Sequence, residues 1–128
     1  MPHLPGPASA ARRLVPAVDE AYRLIRDTVL EAGPAERSLK ELCYRYLAGD
    51  AAVVDFARFT GRERAALEWA DAIAFDSERA DDALWDRLHA LFSEPELVDL
   101  GCAIGFELGQ QHWRRTIGLP AREERVAG

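Results

Sequence analysis

Lysine occurs once and cysteine twice in these 128 residues. The one lysine, Lys40, is joined by fifteen arginines that are scattered among acids rather than gathered in a stripe, and the formal net charge is −6. That balance repels a polyanion, so no nucleic-acid partner is expected. Cys43 and Cys102 are too few and too far apart for a disulfide framework or a cysteine-rich metal site, which makes the cytoplasm the natural compartment. Long apolar runs are also missing. The longest uncharged run near residue 100, "LGCAIGF", is closed by Asp99 and Glu107, whereas a bilayer span needs about 20 apolar residues, so no membrane crossing is expected. The N-terminus "MPHLPGPASAARR" has no apolar stretch before its charges and does not read as a secretory signal. No segment alternates strictly between apolar and polar residues, and neither Asn-Gly nor Asp-Gly occurs. The expected fold class is therefore all-α.

Apolar residues make up 48% of the chain and charged residues 30%, enough for one domain with a core of its own. Three of the seven prolines fall within residues 2–7, so residues 1–13 are expected to form a flexible arm, residues 14–120 a single helical domain, and residues 121–128, "AREERVAG", a fraying tail. Val18, Ala21, Tyr22, Ile25 and Val29 recur at helical spacing after Pro16, up to a stop at Gly33 and Pro34. Leu39, Leu42, Cys43, Tyr46 and Leu47 mark a second helix that stops near Gly49. After a connector, Thr60 and Glu63 have capping-box spacing before an alanine-rich helix that reaches Phe75. Asp81 can cap the next helix, whose face is Leu84, Trp85, Leu88, Leu91 and Phe92. Ser93 and Glu96 repeat the capping-box pattern ahead of a long segment ending at Gly118 and Pro120. Apolar nearly all round in its middle, this last helix is expected to be central and the most buried of the five principal helices.

Candidates for chemistry are sparse. Cys43 lies inside an apolar stripe and reads as core filling, since a reactive thiol needs exposure and nearby positive charge. Glu41 reads as one half of an i, i+4 pair with Arg45, or else as a proton relay facing a pocket. His89 sits at the boundary of an apolar face, and no metal-ligand spacing surrounds it, so neither a metal nor a cofactor is expected. Gly101, Gly105 and Gly109 recur every four residues in the last helix. Each costs about 1 kcal/mol against alanine, which suggests a close neighbour: a packed helix, an oligomer interface or a ligand. Glu107 and His112 are the polar groups of that helix expected to be partly buried.

The run from "FTGRERAALEWADAI" through "SEPELVDL" to "IGLP", together with "LKELCYRYLAG" before it, resembles the carboxymuconolactone decarboxylase family, which includes the AhpD-like alkylhydroperoxidases. The likeness covers roughly residues 37–120. It implies an AhpD-like bundle of about five or six helices, assembly as a homo-oligomer of two or more copies, and active sites near subunit interfaces. Peroxidase members carry a C-x-x-C pair with a histidine three residues on, just after the second helix, and a glutamate upstream on it as proton relay. Glu41 matches the glutamate. Where the pair and the histidine would stand, this chain reads "AGDAAVVDFARF", with no thiol and no imidazole. The resemblance thus implies peroxiredoxin-type thiol redox or lactone decarboxylation, the first without its dithiol. The decarboxylase branch would use acid and base groups, for which Glu41 and His112 are the candidates. Tyr44, Tyr46, Gly105 and Gly109 are the expected lining of a pocket for a small, partly apolar organic molecule between the second and last helices. The competing reading is a catalytically silent small-molecule-binding or oligomeric scaffold.

Overall fold

The computed structural model describes residues 2–123. Among them are six α-helices and no strand: α1 (Ala8–Arg13), α2 (Pro16–Ile25), α3 (Arg37–Leu47), α4 (Gly61–Phe75), α5 (Asp82–Leu91) and α6 (Glu94–Thr116). The protein is an all-helical bundle, and no helix among the described residues is long and apolar enough to cross a membrane.

Pro16 opens α2, its fixed φ suiting a first helical turn. A π-helical turn, Arg26–Leu30, carries α2 onward. Asp81 accepts from the Leu84 amide at the head of α5, and Ser93 and Glu96 form a complete capping box at the head of α6. The Glu96 carboxyl is lowered to about 2, first by the Ser93 backbone N–H and then by Arg62. The second expected box does not form: Thr60 makes no side-chain capping bond. Gly61 enters α4 at φ +55°, a left-handed geometry unlike the helical first residue that the box requires.

The main core joins Leu39, Cys43 and Leu47 of α3 to the alanine face of α4, with Leu84 and Leu88 from α5 and Leu97, Leu100 and Ile104 from α6. The helix with the most helical neighbours is α4, which buries Ala65, Ala66, Leu67, Trp69, Ala70 and Ala72 and packs against α3, α5 and α6, while α3 buries six residues in a shorter span. The small side chains of α4 let three neighbours approach at once. The last helix is therefore not the most buried. It packs one side and leaves Val98 and Phe106 exposed, because apolar character all round a helix does not supply a partner for every side.

The N-terminal segment also differs from expectation. Residues 2–7 are exposed, but Ala8–Arg13 is a helix with Ala8, Ala11 and Arg12 buried. What holds it is remote in sequence. The Arg12 guanidinium lies 3.6 Å from the centre of the Tyr22 ring and 5.4 Å from that of Trp113, and its Nε donates to Gln110 Oε1 at 3.0 Å. Residues 124–128 of the expected tail lie outside the described residues.

The three glycines of α6 do not share one kind of close neighbour. A Cβ on Gly101 would stand 2.6 Å from the Trp69 ring, whereas one on Gly105 or Gly109 would meet nothing within 4 Å. Gly101→Ala should therefore overpack a buried contact and cost about 1–3 kcal/mol. Gly105→Ala and Gly109→Ala should each stabilise by about 0.5–1 kcal/mol through helix propensity alone. Urea unfolding of the three variants checks this, and equal effects at all three positions would contradict it.

The single lysine is completely buried. Lys40 Nζ contacts Asp99 Oδ2 at 2.7 Å, donates to Val29 O at 2.6 Å and also donates to Ala32 O. Asp99 Oδ2 further accepts from the Ala35 amide at 2.9 Å. Removing one partner strands a buried charge, so Lys40→Met should cost about 3–5 kcal/mol. A loss below about 1 kcal/mol in chemical denaturation would show that the pair is not a keystone.

Candidate functional site

Glu41 and Tyr44 stand three residues apart on α3 and therefore share a face. That face opens on a cleft of about 540 Å³ formed with α1, α2, α6 and the segment after α6. Tyr44 is buried. Its hydroxyl donates to Leu30 O at 2.9 Å, which ties the floor of the cleft to the π-helical turn. Burial raises the phenol well above its ordinary range.

From α6, Glu107 enters the same cleft. Its side chain is 13% exposed, and burial raises its carboxyl above the usual carboxylate range, against the opposing pull of Gln111 and Arg122. Gln111 Nε2 donates to Glu107 Oε2 at 2.8 Å and to Tyr44 O at 3.0 Å, while its Oε1 is buried with no hydrogen-bond partner among the described residues. Arg122 crosses over both acids. Its Nη2 lies 2.8 Å from Glu41 Oε1, its Nε lies 3.7 Å from Glu107 Oε2, and its guanidinium is 5.8 Å from the centre of the Tyr44 ring.

Of the residues expected at the site, Glu41 and Tyr44 are brought together. Tyr46 is not: it faces away, donates to Asp71 Oδ1 at 2.6 Å and packs edge-on against Phe56 and Phe75. Two residues of helix turn through about 200°, so the two tyrosines could not share one site. Gly105 and Gly109 are exposed on α6 outside the lining of this cleft, and His112 is exposed beside them. Glu41 does not pair with Arg45, whose Nε instead meets Asp50 Oδ2 at 2.8 Å.

The residues that sequence reasoning missed are arginines. Arg12 comes from the supposed arm, Arg122 from the supposed tail, and Arg114 from the end of α6, where its Nε donates to Pro120 O at 2.8 Å. The doubled arginines in "AARR" and "HWRR" are the only signal for Arg12 and Arg114, Arg122 stands alone in "PAREE", and nothing local in any of these points to a cleft.

Cys43 is fully buried in the main core, and burial pushes its thiol up to about 12, while Cys102 is exposed on α6. Among the described residues no group of three or more His, Cys, Asp or Glu stands close enough to hold a metal ion. A disulfide reagent applied to the native protein should modify Cys102 quickly and Cys43 only after unfolding. Rapid native labelling of both thiols, located by peptide mass spectrometry, would refute the core assignment.

Comparison of the chain with family models, with curated proteins and with solved structures returns no match.

Proposed function

We propose that this chain is a carboxymuconolactone decarboxylase-like protein that carries out acid–base chemistry, of the lactone-decarboxylation kind, on a small organic molecule in the Glu41 cleft, without thiol redox. The observation that carries this reading is the placing of two acids in unlike surroundings around one cavity. Glu107 is buried and held toward its protonated form, whereas Glu41 is partly exposed and ion-paired to Arg122. Carboxyls separated in this way suit a donor and an acceptor of protons. Tyr44 supplies an aromatic wall between them. Cys43 takes no part in this scheme, being sealed in the core.

In such a reaction Glu41, beside Arg122, accepts the proton of the substrate's carboxyl group, CO2 leaves, and Glu107 delivers a proton to the carbon it leaves. His112, exposed on α6, has no role in this scheme. Turnover of a carboxylated unsaturated γ-lactone, followed by its ultraviolet absorbance and by CO2 release, is the test. Glu41→Gln and Glu107→Gln should each slow it about 10²–10⁴-fold, the range for a positioned acid or base. Absence of turnover in the wild type, or turnover untouched by both changes, would sink the enzyme reading. Thiol-dependent peroxide consumption lost in Cys43→Ser would restore the redox alternative.

A second reading, an oligomeric scaffold, is favoured by a different observation. Val98 and Phe106 are exposed on α6 along the side where Gly105 and Gly109 leave open space. Apolar residues beside small ones suit close approach of another helix, so assembly into a homo-oligomer is part of the proposal. Light scattering at micromolar concentration should give at least twice the chain mass, and a monomer would remove this reading.

A further inference from the structure

The acids of the cleft are already provided with cations. Glu41 and Glu107 meet Arg122, Asp19 meets Arg23, Glu31 meets Arg37, and Glu123 meets Arg114. Arg12 is the exception. It is 5% exposed and lines the same cavity, yet among the described residues no carboxylate lies within ion-pair distance of it, and its Nη nitrogens have no hydrogen-bond partner there. Glu123 and Glu107 act on this guanidinium from beyond ion-pair distance, so a group largely withdrawn from water has no direct counter-charge, an arrangement that an anion entering the cleft would complete. Desolvation accordingly lowers its pKa from the ordinary arginine value. The Tyr22 ring, 3.6 Å from the guanidinium, and the Nε bond to Gln110 Oε1 hold the plane of the group while leaving its outer fork unused. That is the half of a bidentate pair which a carboxylate fills.

We propose that Arg12 is the anion subsite of this cleft and that its ligand is a monoanionic organic carboxylate whose apolar body lies against Tyr22, Leu30 and Tyr44. The assignment rests on reading the cleft as a small-molecule site, and it specifies the class of molecule. The cleft lining carries six arginines against five acids, a surplus of one positive charge that suits a monoanion better than a multiply charged phosphate, and Arg12 is the buried arginine among them that meets no carboxylate among the described residues. A helix outside the span of the family resemblance thereby becomes part of the binding site.

Titration of the full chain with benzoate, read by calorimetry, tests the assignment, with benzamide and inorganic phosphate as neutral and multiply charged controls. Benzoate should bind at least tenfold more tightly than either control. Arg12→Gln should weaken benzoate binding at least tenfold, and Arg12→Lys, which keeps the charge but loses the fork, should fall between. Should Arg12→Gln prove unfolded by circular dichroism, nuclear Overhauser contacts between benzoate and the Tyr22 ring in the wild type decide instead: their presence supports the subsite and their absence overturns it. Equal binding of benzoate and benzamide, no benzoate binding, or undiminished binding by folded Arg12→Gln would each overturn it. Lactone turnover failing while Arg12-dependent benzoate binding persists rejects the reaction and upholds the subsite. Turnover that persists in folded Arg12→Gln with benzoate binding unchanged rejects the subsite alone.

Discussion

The buried ion pair of Lys40 and Asp99 is the contact on which the arrangement of the bundle depends. Lys40 belongs to α3 and Asp99 to α6, and the ammonium also caps carbonyls at Val29 and Ala32, where the chain turns out of α2. Three segments are therefore tied at one nitrogen. Gly33, at φ +100°, lets the turn pass so close to Asp99 that a Cβ there would stand 2.5 Å from Oδ1. An ammonium enclosed by a carboxylate and two carbonyls is satisfied in the low-dielectric interior, and the same groups left apart would not be. Misplacing any of the three segments strands a charge, so the pair selects one packing over its neighbours.

That selection sets the cleft. With α3 and α6 locked together through Lys40 and Asp99, Tyr44 reaches Leu30 O, and Gln111 reaches the backbone of Tyr44. The π-helical turn at Arg26–Leu30 thus lies between the buried ion pair and the cavity. A turn of this kind directs carbonyls away from the ordinary helical ladder, which leaves acceptors for groups on other helices. Above this floor the walls are electrostatic. Arginines from α1, from the end of α6 and from the segment after it close over acids on α3 and α6.

Much of the helical layout was legible in the chain because its causes are local. The spacing of Leu39, Cys43 and Leu47 announced α3 and its buried face, and Asp81 and Ser93 announced two helix starts. Thr60 shows the limit of that approach: the residue types for a cap are present, but the φ of Gly61 withholds the geometry. The glycines of α6 show another limit. Their period identifies one helix face, but whether an aromatic ring or solvent lies opposite depends on neighbours far along the chain, Trp69 being the one that reached Gly101.

The sequence by itself determined an all-helical protein and a cysteine sealed in the core. These follow from a period of 3.6 residues and from the burial of apolar stripes, both properties of short windows. Only the tertiary structure decided that Arg122 meets Glu41, that Arg12 is buried beneath Tyr22 with no carboxylate among the described residues at ion-pair distance, and that Tyr46 looks away from the cleft. The reason is the length of the side chains concerned. An arginine can reach any acid within several ångströms, so Arg45 had both Glu41 and Asp50 within its range, and the choice belonged to the fold that brought Arg122 across.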